Sequence, residues 1–456
     1  MPLASANFSP VTAPATTRPD LPRKIGFWGA VAVMVGIIIG TGIFKTPTSI
    51  AKELSDPWLV LVFWLVGGVL SLFGAFTYAE LAVMFPQSGG VYVFIREGFG
   101  RCAAFVFGWT YMLISKPVAA AGIAIIFAEQ VNTLLDVNWD KRPATIAIMF
   151  ALTWINARGV GLGTGFAGIL TVVKVLALLA IAALAFALGK GDAAGLAAEV
   201  APRSLLLAIA PVMGLVLWTY DGWSDVGAIA GEVKDPQRKL PSIYFVGTAA
   251  ITLLYLAVNA AYLWVVPLQE MRTTDNVAPL VIDRLLGKDF AIVVTVIVLI
   301  SSLGSTHGSI MTGARVTFAQ ARDGLLFAFL AKVHSTRETP AVSLWFQFAL
   351  SSLAVIFLKT FENLAGAFVF TMWIFYAMAG ASIFILRRRL PDAPRAYRCW
   401  GYPVVPALFI ASALVMTVLS IMESREKTLP WIAVLLAGIP VYYLWQRATQ
   451  RTAQER

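Results

Sequence analysis

The chain has 456 residues, of which 59% are hydrophobic and only 13% charged, with a formal net charge of +10. That charged share is about half of what soluble domains carry, and no soluble core of this length hides so much apolar side chain. A soluble enzyme, a disordered chain and a secreted disulfide scaffold are therefore excluded. Residues 1–24 are rich in Pro, Thr, Ala and Ser and lack a basic stretch followed by a short apolar one. They are expected to form a disordered cytoplasmic tail and not a signal peptide. A bilayer core of about 30 Å takes roughly 20 apolar residues per helix. Twelve segments qualify: 25–54, 58–85, 102–133, 143–157, 163–189, 204–234, 241–266, 289–321, 340–358, 362–387, 402–422 and 428–446. The fourth is short. The runs are continuous and rich in Leu, Ala, Ile and Val, without the period-two alternation of a barrel, so they predict helices. Residues 447–456 are expected to be a second cytoplasmic tail.

Lys and Arg orient the spans. With the N-terminus in the cytoplasm, the basic residues concentrate on that side, notably Arg387-Arg388-Arg389 and the stretch from Arg395 to Arg398. An even number of spans places both termini there. These basic runs are read as topogenic charge that also touches anionic lipid. The basic residues lie between apolar segments and not on one amphipathic face, and there is no nucleic-acid motif, so no nucleic-acid partner is expected. Cys102 and Cys399 are the only cysteines, and neither belongs to a CxxC or Cys/His cluster. No metal, cofactor or disulfide framework is expected.

Two spans carry residues that suit a helix poorly. In the first, Gly40 and Gly42 flank Thr41 at mid-membrane, and each glycine weakens a helix by about 1 kcal/mol relative to Ala. Tight packing through small residues is the less favoured alternative for the pair. The sixth span reads Trp218-Thr219-Tyr220-Asp221-Gly222-Trp223-Ser224-Asp225. A charge at the bilayer centre costs a few kcal/mol or more and survives where it lines a cavity buried in protein. Breaks are therefore predicted near Gly40–Gly42 and near Asp221–Gly222. Each opens a group of five spans, 1–5 and 6–10, which is the pattern of an inverted-repeat transporter. A broken helix offers free N–H groups and a partial positive charge on one side, and free carbonyls with a partial negative charge on the other. Such ends suit a zwitterion. The N–H groups of Thr41, Gly42 and Ile43 would hold a carboxylate. Carbonyls near Ile38, Trp218, Thr219 and Asp221 would hold an ammonium, and glycine such as Gly40 permits close approach.

Several motifs in order resemble the amino acid–polyamine–organocation superfamily, and within it the L-type amino acid transporter branch. They are Gly-Thr-Gly-Ile-Phe at 40–44, Tyr78-Ala79-Glu80-Leu81, Pro86-Gln87-Ser88-Gly89-Gly90-Val91-Tyr92, Lys116-Pro117, Tyr220-Asp221-Gly222-Trp223 and Glu232-Val233-Lys234-Asp235-Pro236. The resemblance covers nearly the whole chain after residue 24. It implies an all-α integral membrane protein of twelve helices: a first five-helix repeat at 25–189, a second at 204–387, and helices 11 and 12 at 402–446. It also implies sodium-independent amino-acid transport by exchange, in the cell membrane. Lys174 falls where sodium-coupled relatives bind a cation, so its ammonium is either a permanent substitute or a proton carrier. Trp218 is either core packing or the aromatic that closes over the substrate. Relatives that join a glycoprotein do so through a cysteine between spans 3 and 4. The loop 134–142 has none, so no disulfide-linked heavy-chain partner is expected.

The remaining polar residues have competing readings. Ser224 either hydrogen-bonds near the substrate or caps the second half-helix. Asp221 attracts a cationic side chain or, preferably, caps that half-helix. Glu80 and Glu232 are expected in helix-end or gate contacts, Lys116 beside a helix terminus or an acid, and His307 as a satisfied polar residue. Lys45 adds a positive charge facing the outer vestibule. The leading expectation is an amino-acid exchanger working by alternating access. The alternative is a proton-coupled amino-acid or polyamine symporter or uniporter. A channel is less favoured, because polar residues cluster at two midpoints and do not line a continuous path. A membrane enzyme lacks a catalytic cluster.

Overall fold

The computed structural model describes residues 20–189, 191, 205–274, 276–358, 361–423 and 425–454. Most of the first expected tail, residues 1–19, lies outside them, as do 192–204 and 455–456. The described residues are helical apart from connecting loops and one parallel β-bridge between Ile25 and Val233. In chain order the helices are α1 (Phe27–Ile38), α2 (Gly42–Glu53), α3 (Pro57–Met84), α4 (Val91–Phe99), α5 (Arg101–Thr110), α6 (Lys116–Leu135), α7 (Lys141–Ala157), α8 (Val160–Leu188), α9 (Leu205–Tyr220), α10 (Pro236–Val265), α11 (Leu268–Met271), α12 (Val277–Leu286), α13 (Ala291–Arg322), α14 (Ala341–Leu358), α15 (Phe361–Arg389), α16 (Val404–Glu423) and α17 (Arg425–Gln454). One π-turn, Tyr111–Ser115, joins α5 to α6, and a 3₁₀ helix, Trp223–Glu232, follows α9.

Eight spans among the described residues are long and apolar enough to cross a membrane, so the protein is a multi-pass membrane protein. They correspond to predicted spans 1, 2, 3, 5, 7, 8, 11 and 12. The other four predicted spans are helical as well. Span 4 is the 17-residue α7. Span 6 is cut by Asp221 and Gly222, and its second half is 3₁₀. Span 9 is the short apolar α14, and span 10 is α15, which ends on Arg387-Arg388-Arg389.

The core is built by α1, which packs on α8, α10 and α13, with α3 lying along α10 and α6 along α13. α15 packs on α4, α6 and α16, and α17 on α5. At the end of the bundle where residue 20 lies, buried charges occur in pairs, because an unpaired one would keep its full desolvation cost. Glu232, fully buried, takes Arg315 Nε at 2.7 Å. Glu80, also fully buried, takes Arg387 at 2.6 Å and Arg395 at 3.2 Å, and accepts from the backbone N–H of Cys399 at 2.5 Å. Arg387 and Arg395 therefore clasp a buried acid and do more than set topology. Arg96 pairs with Asp323. Two of the residues assigned to the tail on composition pack here: Leu21 is buried, and Asp20 binds Arg322 at 3.0 Å and the N–H of Ser88 at 2.9 Å. Beside them, Ile25 N–H donates to the Glu232 carbonyl at 2.8 Å, and Lys234 N–H donates to the Ile25 carbonyl at 2.9 Å.

Candidate substrate site

The first span is interrupted at 39–41. α1 ends at Ile38 and α2 starts at Gly42, so three residues of non-helical backbone sit at the centre of the bundle. The carbonyls released there are taken by side chains from three neighbours. Lys174, buried on α8, donates to Gly36 O at 2.8 Å, Ile39 O at 2.7 Å and Ser305 Oγ at 3.0 Å. Ser301 donates to Ile39 O at 3.1 Å or Gly40 O at 3.0 Å, and Ser305 to Gly36 O at 3.0 Å or Ile39 O at 2.9 Å. Tyr255 Oη on α10 donates to Ile38 O at 2.8 Å, and Gly40 N–H donates to the same oxygen at 2.7 Å. Both lone pairs of the Ile38 carbonyl are thus engaged, and the oxygen expected to meet an ammonium is already satisfied by the protein. The opposite end differs. Gly42 and Ile43 open α2, where first-turn N–H groups have no helical acceptor and the dipole is positive.

The second interruption falls at Asp221 and Gly222, between α9 and the 3₁₀ helix. Gly222 has φ +124°, a conformation side chains rarely adopt, and a Cβ there would sit 2.8 Å from Ile37 Cγ2. Gly42 approaches the same region from α2: a Cβ on it would lie 2.8 Å from both Cγ2 and Oγ1 of Thr219. Thr219 itself is held by Thr46 Oγ1 at 2.9 Å and Leu215 O at 2.8 Å. The two interruptions face one another across a cavity of about 60 Å³. Gly40, Thr41, Gly42, Trp218, Thr219 and Asp221 line it, together with Ile38, Lys116, Asp225, Ser309 and an apolar strip of α6. Two buried hydroxyls on its wall, Thr41 Oγ1 and Ser309 Oγ, have no hydrogen-bond partner among the described residues. Buried polar atoms are nearly always satisfied, so each orphan marks a place for a ligand or water.

Two acids close the far side. Asp225 binds Lys116 Nζ at 2.6 Å, with both side chains under a tenth exposed. Asp221 accepts from Tyr376 Oη at 2.5 Å, and Tyr376 Oη also lies 2.9 Å from Ser224 Oγ. The 3₁₀ helix has no side-chain cap. The capping preferred for Asp221, and given as one of two readings for Ser224, is therefore not made; both side chains turn to Tyr376. Ser224 is buried behind the cavity, and the Ile43 side chain is buried away from it. His307 is held by Asn156 Nδ2 at 3.1 Å and the Gly163 carbonyl at 2.8 Å. Lys45 pairs with Glu129 at 3.3 Å, and Glu129 also binds Lys141 at 2.9 Å.

Tyr255, Tyr376, Ser301, Ser305 and Ser309 were not singled out from the sequence. A signal existed for the serines: 301, 305 and 309 recur every fourth residue, which places them on one face of α13.

The amino acid permease family model matches residues 25–442. The serine/threonine exchanger SteT of Bacillus subtilis is 31% identical, over 93% of this chain and 97% of its own length. The large neutral amino acids transporter small subunit 2 of Mus musculus is 32% identical, over 93% of this chain and 82% of its own. The human cystine/glutamate transporter is 28% identical, over 95% and 87% respectively. The chain belongs to the amino acid permease family, within the amino acid–polyamine–organocation superfamily, and is a transporter and not an enzyme.

Proposed function

We propose that this permease is a sodium-independent amino-acid exchanger that binds the α-carboxylate and α-amino groups of its substrate between the interruptions of its first and sixth spans. The carrying observation is the cavity where the start of α2 faces the end of α9, with the unpartnered hydroxyls of Thr41 and Ser309 on its wall. The carboxylate meets the N–H groups of Thr41, Gly42 and Ile43, where dipole and free donors favour an anion. The ammonium meets the acceptors on the other side, chiefly Asp221 and the carbonyls of Trp218 and Thr219, since Ile38 O is taken. Trp218 lies at the edge of the cavity as a closing aromatic. Ser224 acts through Tyr376 on Asp221.

Lys174 Nζ occupies the acceptors at the end of α1, Gly36 O and Ile39 O, where a coupling cation would otherwise sit, which supports independence from sodium. The Bacillus relative is named for serine and threonine, which supports a substrate with a short side chain. We read the chain as twelve helices in a 5+5 inverted repeat, working by alternating access, in the cell membrane with both termini cytoplasmic and without a disulfide-linked partner. Uptake of labelled serine into proteoliposomes tests the reading. Preloading with unlabelled amino acid should accelerate uptake severalfold. Equal uptake into empty vesicles under an acid exterior would replace exchange by proton coupling.

A further inference from the structure

A second concavity lies at the end of the bundle that holds residue 20, outside the transport site. It measures about 470 Å³ and is lined by Phe76 of α3, Pro241, Ser242 and Phe245 of α10, and Tyr397 and Trp400 of the segment between α15 and α16. That volume falls in the range of small-molecule sites, roughly 300–1,000 Å³. Its wall is aromatic: Phe76 stacks on Phe245 with centroids 5.8 Å apart and meets Trp400 edge-on at 5.9 Å. Yet the rings are not sequestered, since Phe245 is 49% and Trp400 69% exposed. Aromatic rings open to the surroundings at a span's end belong to the interface between acyl chains and headgroups.

The rim is basic. Arg238 stands one helical turn before Ser242 on the same face of α10, and Arg398 lies between the two lining residues of the loop. Both are exposed. Their neighbours' charges are spent elsewhere. Arg387 and Arg395 hold Glu80, and Lys239 pairs with Asp235 at 3.0 Å. The guanidinium groups of Arg238 and Arg398 make no hydrogen bond or close ion pair with a side chain among the described residues, and Asp235 acts on Arg238 only at a distance. The cleft is also held in shape. The Glu80 carboxylate binds the Cys399 N–H between Tyr397 and Trp400, and Tyr397 Oη accepts from Trp400 N–H at 3.3 Å.

We propose that this cleft binds one anionic phospholipid, its acyl chain against Phe76, Phe245 and Trp400 and its phosphate between Arg238 and Arg398. Apolar rings below two unspent guanidiniums match the two ends of such a lipid. The proposal goes beyond the transport reading and does not depend on it.

Native mass spectrometry of the purified full-length protein in detergent tests it, titrating palmitoyl-oleoyl phosphatidylglycerol against the phosphatidylcholine of the same chains. One phosphatidylglycerol should be retained where phosphatidylcholine is lost. At about 1 kcal/mol per basic residue near a lipid surface, R238Q/R398Q should weaken that binding roughly 30-fold. W400A/F245A should weaken it about tenfold or more. Both arginines are exposed and unpaired, so R238Q/R398Q should melt like the wild type without added lipid. Equal retention of the two lipids, or phosphatidylglycerol binding unchanged in R238Q/R398Q, would overturn the proposal. So would displacement by glycerol 3-phosphate at matching concentration, which would make it a site for soluble phosphates.

Discussion

Gly42→Ala places one methyl group where the two interrupted spans meet. The new Cβ would lie 2.8 Å from Cγ2 and Oγ1 of Thr219 and 3.1 Å from the Trp218 ring, against 3.4–4 Å for ordinary contact. At least 0.6 Å must be found (3.4 − 2.8). Thr219 cannot turn aside cheaply. It is β-branched, and its hydroxyl is tied to both Thr46 and Leu215. α2 and α9 must then part, at a cost of about 1–3 kcal/mol for an overpacked methyl group, a factor of roughly 5 to 150 in an equilibrium constant. The displacement falls on the N–H groups proposed to hold the carboxylate. The KM for serine uptake should rise tenfold or more, and the melting temperature should fall. Gly214→Ala is the control: on the same α9, its Cβ would find only Met416 Cε at 3.8 Å, and Ala is favoured there by about 1 kcal/mol. Adding Thr219→Ala should restore part of the lost melting temperature, a coupling readable from a double-mutant cycle. A Gly42→Ala protein with wild-type KM and melting temperature would show that the close approach is not maintained, and the reasoning would fail.

Arg315→Met leaves Glu232 buried without its partner and should cost about 3–5 kcal/mol; the readout is loss of the monodisperse peak in size-exclusion chromatography, largely recovered when Glu232→Leu is added. Tyr255→Phe removes one of the two donors to Ile38 O. It should cost about 1 kcal/mol, seen as a fall of a few degrees in melting temperature, whereas an unshifted melt would mean that the hydrogen bond contributes nothing. Replacing sodium chloride by choline chloride should leave uptake unchanged while Lys174→Ala abolishes it. A strong sodium requirement in the wild type would refute the role given to Lys174.

The interruptions were legible because glycine and aspartate in a long apolar run are expensive unless the helix stops. Membrane class followed from composition for the same reason. Partners were harder to see. A resemblance placed Lys174 at a cation position, but its reach to the end of α1 was not legible, since 138 positions separate it from Gly36. The ammonium acceptor expected at Ile38 looked free because Tyr255, 217 positions away, gives no local sign of where its hydroxyl points. Asp221 read as a cap, and Ser224 as a cap or a substrate contact, because Asp and Ser often cap helices, but a 3₁₀ continuation and the Tyr376 hydroxyl offered them better geometry. The arginines after α15 read as topology signals, since pairing with Glu80 depends on two helix ends meeting in space.

The bridge between Ile25 and Val233 joins the root of α1 to the foot of the 3₁₀ helix. These two pieces belong to different broken spans, yet at this end they share a short length of β ladder, reinforced by the Glu232–Arg315 pair beside it. They cannot swing separately without tearing two backbone hydrogen bonds in a buried setting. Mechanically they form one leaf on one hinge, and whichever of them a passing solute pushes, both are displaced. The other halves of the same spans, α2 and α9, meet through the Thr46–Thr219 hydroxyl pair and the bare backbone of Gly42.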